Sequence, residues 1–169
     1  MLVFLSVEGG DEIQRECHDY IRQHRVLTTG EVMSSGPGRL PFKKIIHAVG
    51  PRWTTKAHEA KHVRDLETCI ENCLDKMIEL GLTSIAIPPI STGIFGFPLK
   101  LAVETIVKTV SRLDKEMDLP GKIVFIDNKT DSLQLFEQEL SALTRSVKIP
   151  SQPRKTTKRP GKSIYIRVF

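Results

Sequence analysis

Ser84-Ile85-Ala86-Ile87-Pro88-Pro89-Ile90-Ser91-Thr92-Gly93-Ile94-Phe95-Gly96-Phe97-Pro98-Leu99 is the stretch from which the fold is read. A run of Ile and Ala passes through two prolines into Ser91–Gly96, and apolar residues then recur at helical spacing from Leu101. The order strand, loop, helix puts Ser91–Gly96 where open α/β sheets take ligands: at the carboxyl edge of a strand, beside the free N–H groups of a helix start. The loop is not a P-loop, because no Gly-Lys-Ser/Thr follows, and it lacks the three-glycine dinucleotide fingerprint. Phe95 stands between two glycines and offers a face to a sugar or base, where a purely structural turn more often carries Asn, Asp or Ser. The loop chemistry points to a phosphate-bearing ligand. A structural strand-to-helix turn is the alternative.

Working outward, Ile13, Cys17, Tyr20 and Ile21 fall on one face of an amphipathic helix running to about Gln23, with Asp11 placed to cap it. Gly30–Ser35 and Lys43–Val49 read as short strands, closed by Gly36-Pro37-Gly38 and Gly50-Pro51. His47 lies inside the second of these. A histidine alternating within a buried-looking strand is more often a hydrogen-bonded core residue than a catalytic base. From about Ala57 to Leu80, Val63, Leu66, Ile70, Cys73, Leu74, Met77 and Ile78 recur at steps of three and four and end at Gly81, a long helix with a glycine C-cap. A third helix carries Ala102, Ile106, Val110 and Leu113. Gly121–Ile126 is a strand apolar on both faces, and a fourth helix begins near Asp131. Four strands alternating with helices give an α/β sandwich around a mostly parallel sheet. The end of the chain, Ile164–Phe169, reads as part of an exposed tail in preference to a last strand.

A chain of 169 residues, 40% hydrophobic, is one domain with room for a substantial core. The formal charge of +5 resides in the tail: Arg154, Lys155, Lys158, Arg159, Lys162 and Arg167 have no acidic companion from Pro150 onward, leaving 19 basic and 20 acidic residues before it. The expected organisation is a domain over 1–149 and a basic tail over 150–169, and nucleic acid is a partner only through that tail. Cys17, Cys69 and Cys73 are odd in number and follow no signal peptide, which argues against a secreted disulfide framework. Cys69, Cys73 and His62 have no second ligand pair at zinc spacing, so no metal is expected. Met1–Leu5 is too short to cross a bilayer.

Taken together, several runs resemble one family: Asp11–Cys17, Gly30-Glu31, Gly38-Arg39-Leu40-Pro41, Ile45-Ile46-His47-Ala48-Val49-Gly50-Pro51-Arg52-Trp53, and Ile87–Pro98. They are ordered and spaced as in the macrodomains that bind ADP-ribose, most closely those of the multi-macrodomain PARP-type mono-ADP-ribosyltransferases, the fourteenth and fifteenth PARP-family members. The resemblance covers about Gly9 to Leu143. It implies a three-layer α/β/α sandwich and a reader of ADP-ribose or mono-ADP-ribosylated protein, in the nucleus and/or cytoplasm, with ADP-ribose as ligand and no cofactor. It gives the backbone N–H groups of Ser91, Thr92, Gly93, Ile94 and Gly96 to the phosphates, sets Phe95 beside the distal ribose, and puts Asn128 on the adenosine side, although an asparagine there also suits a turn.

The chain departs from the family pattern at its start. Two further strands, an Asn-Ala-Ala-Asn-like segment and a Gly-Gly-Gly-Val-like loop are absent, and Gly9-Gly10 align with the tail of the first helix instead of that loop. The resemblance therefore implies a macrodomain lacking its first strands, with an exposed central sheet edge and a weakened cradle. Ile164–Phe169 pairing with a vacated edge is the less favoured arrangement. The alternatives to a reader are an ADP-ribosyl-protein hydrolase and an inert or scaffolding fragment with a basic tail. No catalytic residue is assigned, and no transferase segment is recognisable.

Overall fold

The computed structural model describes residues 9–117, 119, 121–146 and 165–168. Its elements are α1 (Asp11–Gln23), β1 (Val32–Ser35), β2 (Ile45–Ala48), a 3-10 turn (Lys56–His58), α2 (Glu59–Glu79), β3 (Ser84–Ile87), α3 (Leu99–Met117), β4 (Lys122–Asp127), α4 (Thr130–Ser146) and β5 (Tyr165–Val168). Among them no helix is long and apolar enough to cross a membrane.

The apolar stripe of α2 drives the main core. Leu66, Ile70, Leu74 and Met77 are at most 1% exposed and pack on Val103, Ile106, Val107 and Val110 of α3. Full burial of such side chains stabilises by roughly 1.5–3 kcal/mol each. Phe125 of β4 and Phe136 of α4 stack at 4.6 Å and 8°, joining the sheet to its last helix. Ile78, on the expected stripe, is instead exposed, as is Ile21 on α1. Asp11 does not cap α1: Gly10 occupies the cap position with no side-chain bond, and Asp11 sits in the first turn, where its charge suits the positive end of the helix dipole.

β3, β4 and β5 form a parallel sheet, with Ile85 opposite Ile123 and Phe125 opposite Ile166. Lys122 N–H donates to the Thr83 carbonyl (2.9 Å). That approach requires Gly121, whose φ is +83° and whose added Cβ would lie 1.9 Å from the Thr83 oxygen. β1 and β2 pair antiparallel in a separate two-stranded sheet, Val32 opposite Ala48. A second, smaller core of Ile13, Cys17, Met33 and Ile45 lies under it.

Two expectations change here. Tyr165–Val168 is a strand, paired in parallel along the outer edge of β4, so this end of the chain is not a free tail. The β4 edge offers a row of unpaired backbone groups, and four alternating residues suffice to satisfy it. The rest of the tail expected over 150–169, with its other basic residues, lies outside the described residues, as does Met1–Leu5. The sheet is also not continuous: among the described residues no strand joins β2 to β3, and Ser84 and Ala86 are exposed on a strand whose sequence suits a covered position.

Candidate ligand-binding loop

β3 stops at Ile87 because Pro88 and Pro89 have no N–H to continue a ladder. The chain then folds back over itself. Thr92 hydroxyl donates to the Pro89 carbonyl (2.8 Å), Gly96 N–H to Gly93 (3.0 Å) and Phe97 N–H to Ser91 (3.0 Å). These bonds occupy Gly96 N–H and, at 3.3 Å to Pro89, Thr92 N–H. Of the five N–H groups that the resemblance assigns to phosphate, those of Ser91, Gly93 and Ile94 remain without a protein acceptor among the described residues, and Phe95 N–H joins them.

Ser91 carries the clearest signature. It has a φ of 69°, the left-handed conformation that costs an L-residue roughly 1–2 kcal/mol, and it is the one non-glycine so placed among the described residues. Its Oγ is buried with no hydrogen-bond partner among the described residues. Strain and an unsatisfied buried hydroxyl on one residue are characteristic of ligand clamps. The opposite wall is Gly50, where an added Cβ would stand 2.2 Å from Ser91 Oγ and 2.6 Å from Ile90 Cγ2. A Cβ built at Gly93 or Gly96 meets nothing within 4 Å, so the outer side of the loop is open, and Ile94 is 92% exposed. The product is a shallow cradle of backbone N–H donors, the chemistry of an anion site. Phe95 is half-buried, its carbonyl accepting from Trp53 N–H (2.9 Å).

Asn128 is exposed just beyond β4, its N–H bonded to Asp127 Oδ1 (2.7 Å). Because β3 and β4 run parallel, it shares the carboxyl rim with the loop. Gly9-Gly10 are elsewhere: Gly9 carbonyl accepts from Arg39 N–H (2.9 Å), after β1 and so at the end of β2 remote from Gly50. They are no part of the cradle.

His47 belongs to a closed polar network. Ser35 Oγ lies 2.8 Å from Nε2 and also donates to the Gly36 carbonyl (2.9 Å), while Cys17 Sγ lies 3.7 Å from the same nitrogen. Burial pushes the His47 imidazole below its ordinary range and the Cys17 thiol above its own. Both stay neutral, so the trio is a satisfied core network and offers no thiolate nucleophile. Cys69 and Cys73 are buried in α2, and among the described residues no three His, Cys, Asp or Glu side chains gather as a metal site.

Gly50 and Trp53, which line or hold the loop, stand out in the sequence only as parts of the Ile45–Trp53 run. The Gly-Pro pair after a strand, and the chain's single tryptophan three residues later, are signals that could have marked them.

Residues 5–106 match the Macro domain family. An uncharacterized protein of Sulfurisphaera tokodaii is 43% identical over 103 residues, covering 61% of this chain and 54% of that protein. Human protein mono-ADP-ribosyltransferase PARP14 is 32% identical over 146 residues, 84% of this chain and 8% of that protein. O-acetyl-ADP-ribose deacetylase of Enterobacter is 32% identical over 132 residues, 78% of this chain and 72% of that protein. A solved Oceanobacillus iheyensis macrodomain variant with ADPR has a TM-score of 0.75 at 27% identity, covering 83% of this chain and 76% of its own. The chain thus spans about half the length of the first of these relatives and a small part of the PARP protein. The PARP likeness is real but not exclusive, since the Sulfurisphaera protein is the more similar in sequence. With the family match extending across β3, the Ser91–Gly96 loop and the start of α3, this chain belongs to the macro domain family.

Proposed function

We propose that this chain is a binding module for ADP-ribose and for mono-ADP-ribosylated proteins, held through Ser91, Thr92, Gly93, Ile94, Phe95 and Gly96, with Asn128 on the adenosine side of the same rim. The observation that carries the reading is Ser91: a strained backbone and a buried hydroxyl beside N–H groups, none with a protein partner among the described residues. A diphosphate on the open side of the loop supplies acceptors for those N–H groups, while the hydroxyl faces Gly50 behind them. Ser91, Gly93, Ile94 and Phe95 N–H are the phosphate donors, and Thr92 and Gly96 shape the loop through their internal bonds. The solved relative with ADPR supports the ligand class.

The reader is favoured over a hydrolase because Ser91–Gly96 contains no titratable side chain to move a proton, and His47 is committed to its core network. The relative named as an O-acetyl-ADP-ribose deacetylase keeps hydrolysis as the second reading. Titration calorimetry and thermal unfolding with ADP-ribose test the proposal. Saturable heat and an upward transition are expected, and neither heat nor shift at millimolar ligand refutes it. Release of ADP-ribose from a modified protein, lost on Phe95→Ala, would replace the reader with the hydrolase.

A further inference from the structure

The cradle is not self-supporting, since its three internal backbone bonds all connect residues within 89–97. What ties it to the body of the domain is the segment after β2. Trp53 N–H donates to the Phe95 carbonyl (2.9 Å) at the tip of the loop. The Trp53 indole meets Phe97 edge-on, with ring centroids 5.1 Å apart at 63°, and Phe97 is 2% exposed in the main core. On its other flank the indole lies 5.4 Å from His62, itself 7% exposed near the start of α2. His62 Nε2 in turn lies 3.0 Å from Thr54 Oγ1, fixing the residue next to Trp53. One side chain is therefore held between a core phenylalanine that ends the loop and a buried histidine of the longest helix, while its own backbone grips the loop tip.

We propose that Trp53 is a positioning residue for the ligand loop, keeping the Ser91–Phe95 N–H groups aimed outward without itself touching the ligand. The proposal rests on the functional reading above, but its mechanical part concerns the unliganded loop. Without the indole, the 50–55 segment loses its anchor between α2 and Phe97, and the grip on the Phe95 carbonyl loosens. The Gly96 and Phe97 amides, whose bonds close the loop, should then open more often, while those of α3, whose bonds are helical, should not.

The test compares wild type, Trp53→Phe and Trp53→Ala by amide hydrogen exchange without ligand and by calorimetry with ADP-ribose. In Trp53→Ala, exchange at Gly96 and Phe97 should accelerate by about tenfold or more while amides at Ile106 and Val110 change by less than about twofold. Its ADP-ribose affinity should fall by about tenfold, and Trp53→Phe, which keeps an aromatic ring between Phe97 and His62, should restore both loop protection and affinity to within about threefold of wild type. Unchanged loop exchange, an equal acceleration through α3, or an unaltered affinity on a loosened loop each overturns the proposal. If wild type binds no ADP-ribose while the loop exchange responds as expected, the functional reading fails and the brace stands.

Discussion

Replacing Ser91 with glycine should make the unliganded domain more stable and a poorer binder. Serine at φ 69° costs roughly 1–2 kcal/mol that glycine avoids. Removing a buried hydroxyl without a partner relieves a further desolvation cost of roughly 1 kcal/mol. Against these stands glycine's greater freedom in the unfolded chain, roughly 0.5–1 kcal/mol. The balance favours the variant by about 1–2 kcal/mol, and each kcal/mol raises the midpoint by about 2–4 °C in a domain of this size. The same substitution gives up the side chain that wedges the loop against Gly50 and holds the Ser91 N–H in place, and the freedom regained lowers affinity by about tenfold. Thermal unfolding without ligand and calorimetry with ADP-ribose read the two effects separately. Ser91→Ala keeps the backbone strain and loses only the hydroxyl, so its gain in midpoint and its loss of affinity should both be smaller. An unliganded Ser91→Gly that melts below wild type, or that binds ADP-ribose within about threefold of it, would refute the view that this residue holds strain for the sake of a ligand.

Gly50→Ala inserts a methyl 2.2 Å from Ser91 Oγ and 2.6 Å from Ile90 Cγ2, overpacking that should cost about 1–3 kcal/mol and displace the cradle; urea denaturation and ADP-ribose titration should both register it. His47 has a folded-state value below the ordinary 6.5, so near that pH the unfolded chain holds the extra proton and stability falls as pH drops through about 6.5. Denaturant midpoints between pH 7.5 and 5.5 should therefore fall more steeply in wild type than in His47→Gln. Deleting Ile164–Phe169 uncovers the β4 edge along Val124–Asp127, and the shortened chain should melt lower and self-associate with rising concentration, as light scattering would show.

The parts of this fold that the sequence discloses are those in which one local pattern has one solution. In α2, Leu66, Ile70, Leu74 and Met77 on a single stripe have nowhere to go but against α3 and the sheet, and in β3 two prolines end the ladder whatever surrounds them. β5 is different. Tyr165–Val168 has too few residues for its alternation to separate strand from coil, and what settles it is a property of another element, the open edge of β4 about forty residues earlier. The Ser91–Gly96 loop divides in the same way. Its donors are legible, because glycine-rich turns between strand and helix present backbone N–H groups; which donors remain available is not, because Thr92 and Gly96 bond within the loop. Nor is the left-handed Ser91 legible, since no residue type demands it there. It is accompanied by a Gly50 whose missing Cβ leaves room for its hydroxyl and by a Trp53 that holds the loop tip, both more than thirty-five residues away in the chain. The local sequence thus writes the chemistry of the cradle, and distant contacts set its aim. A chain that keeps the Ser91–Gly96 loop but loses Gly50 or Trp53 should retain the motif and bind its ligand less well.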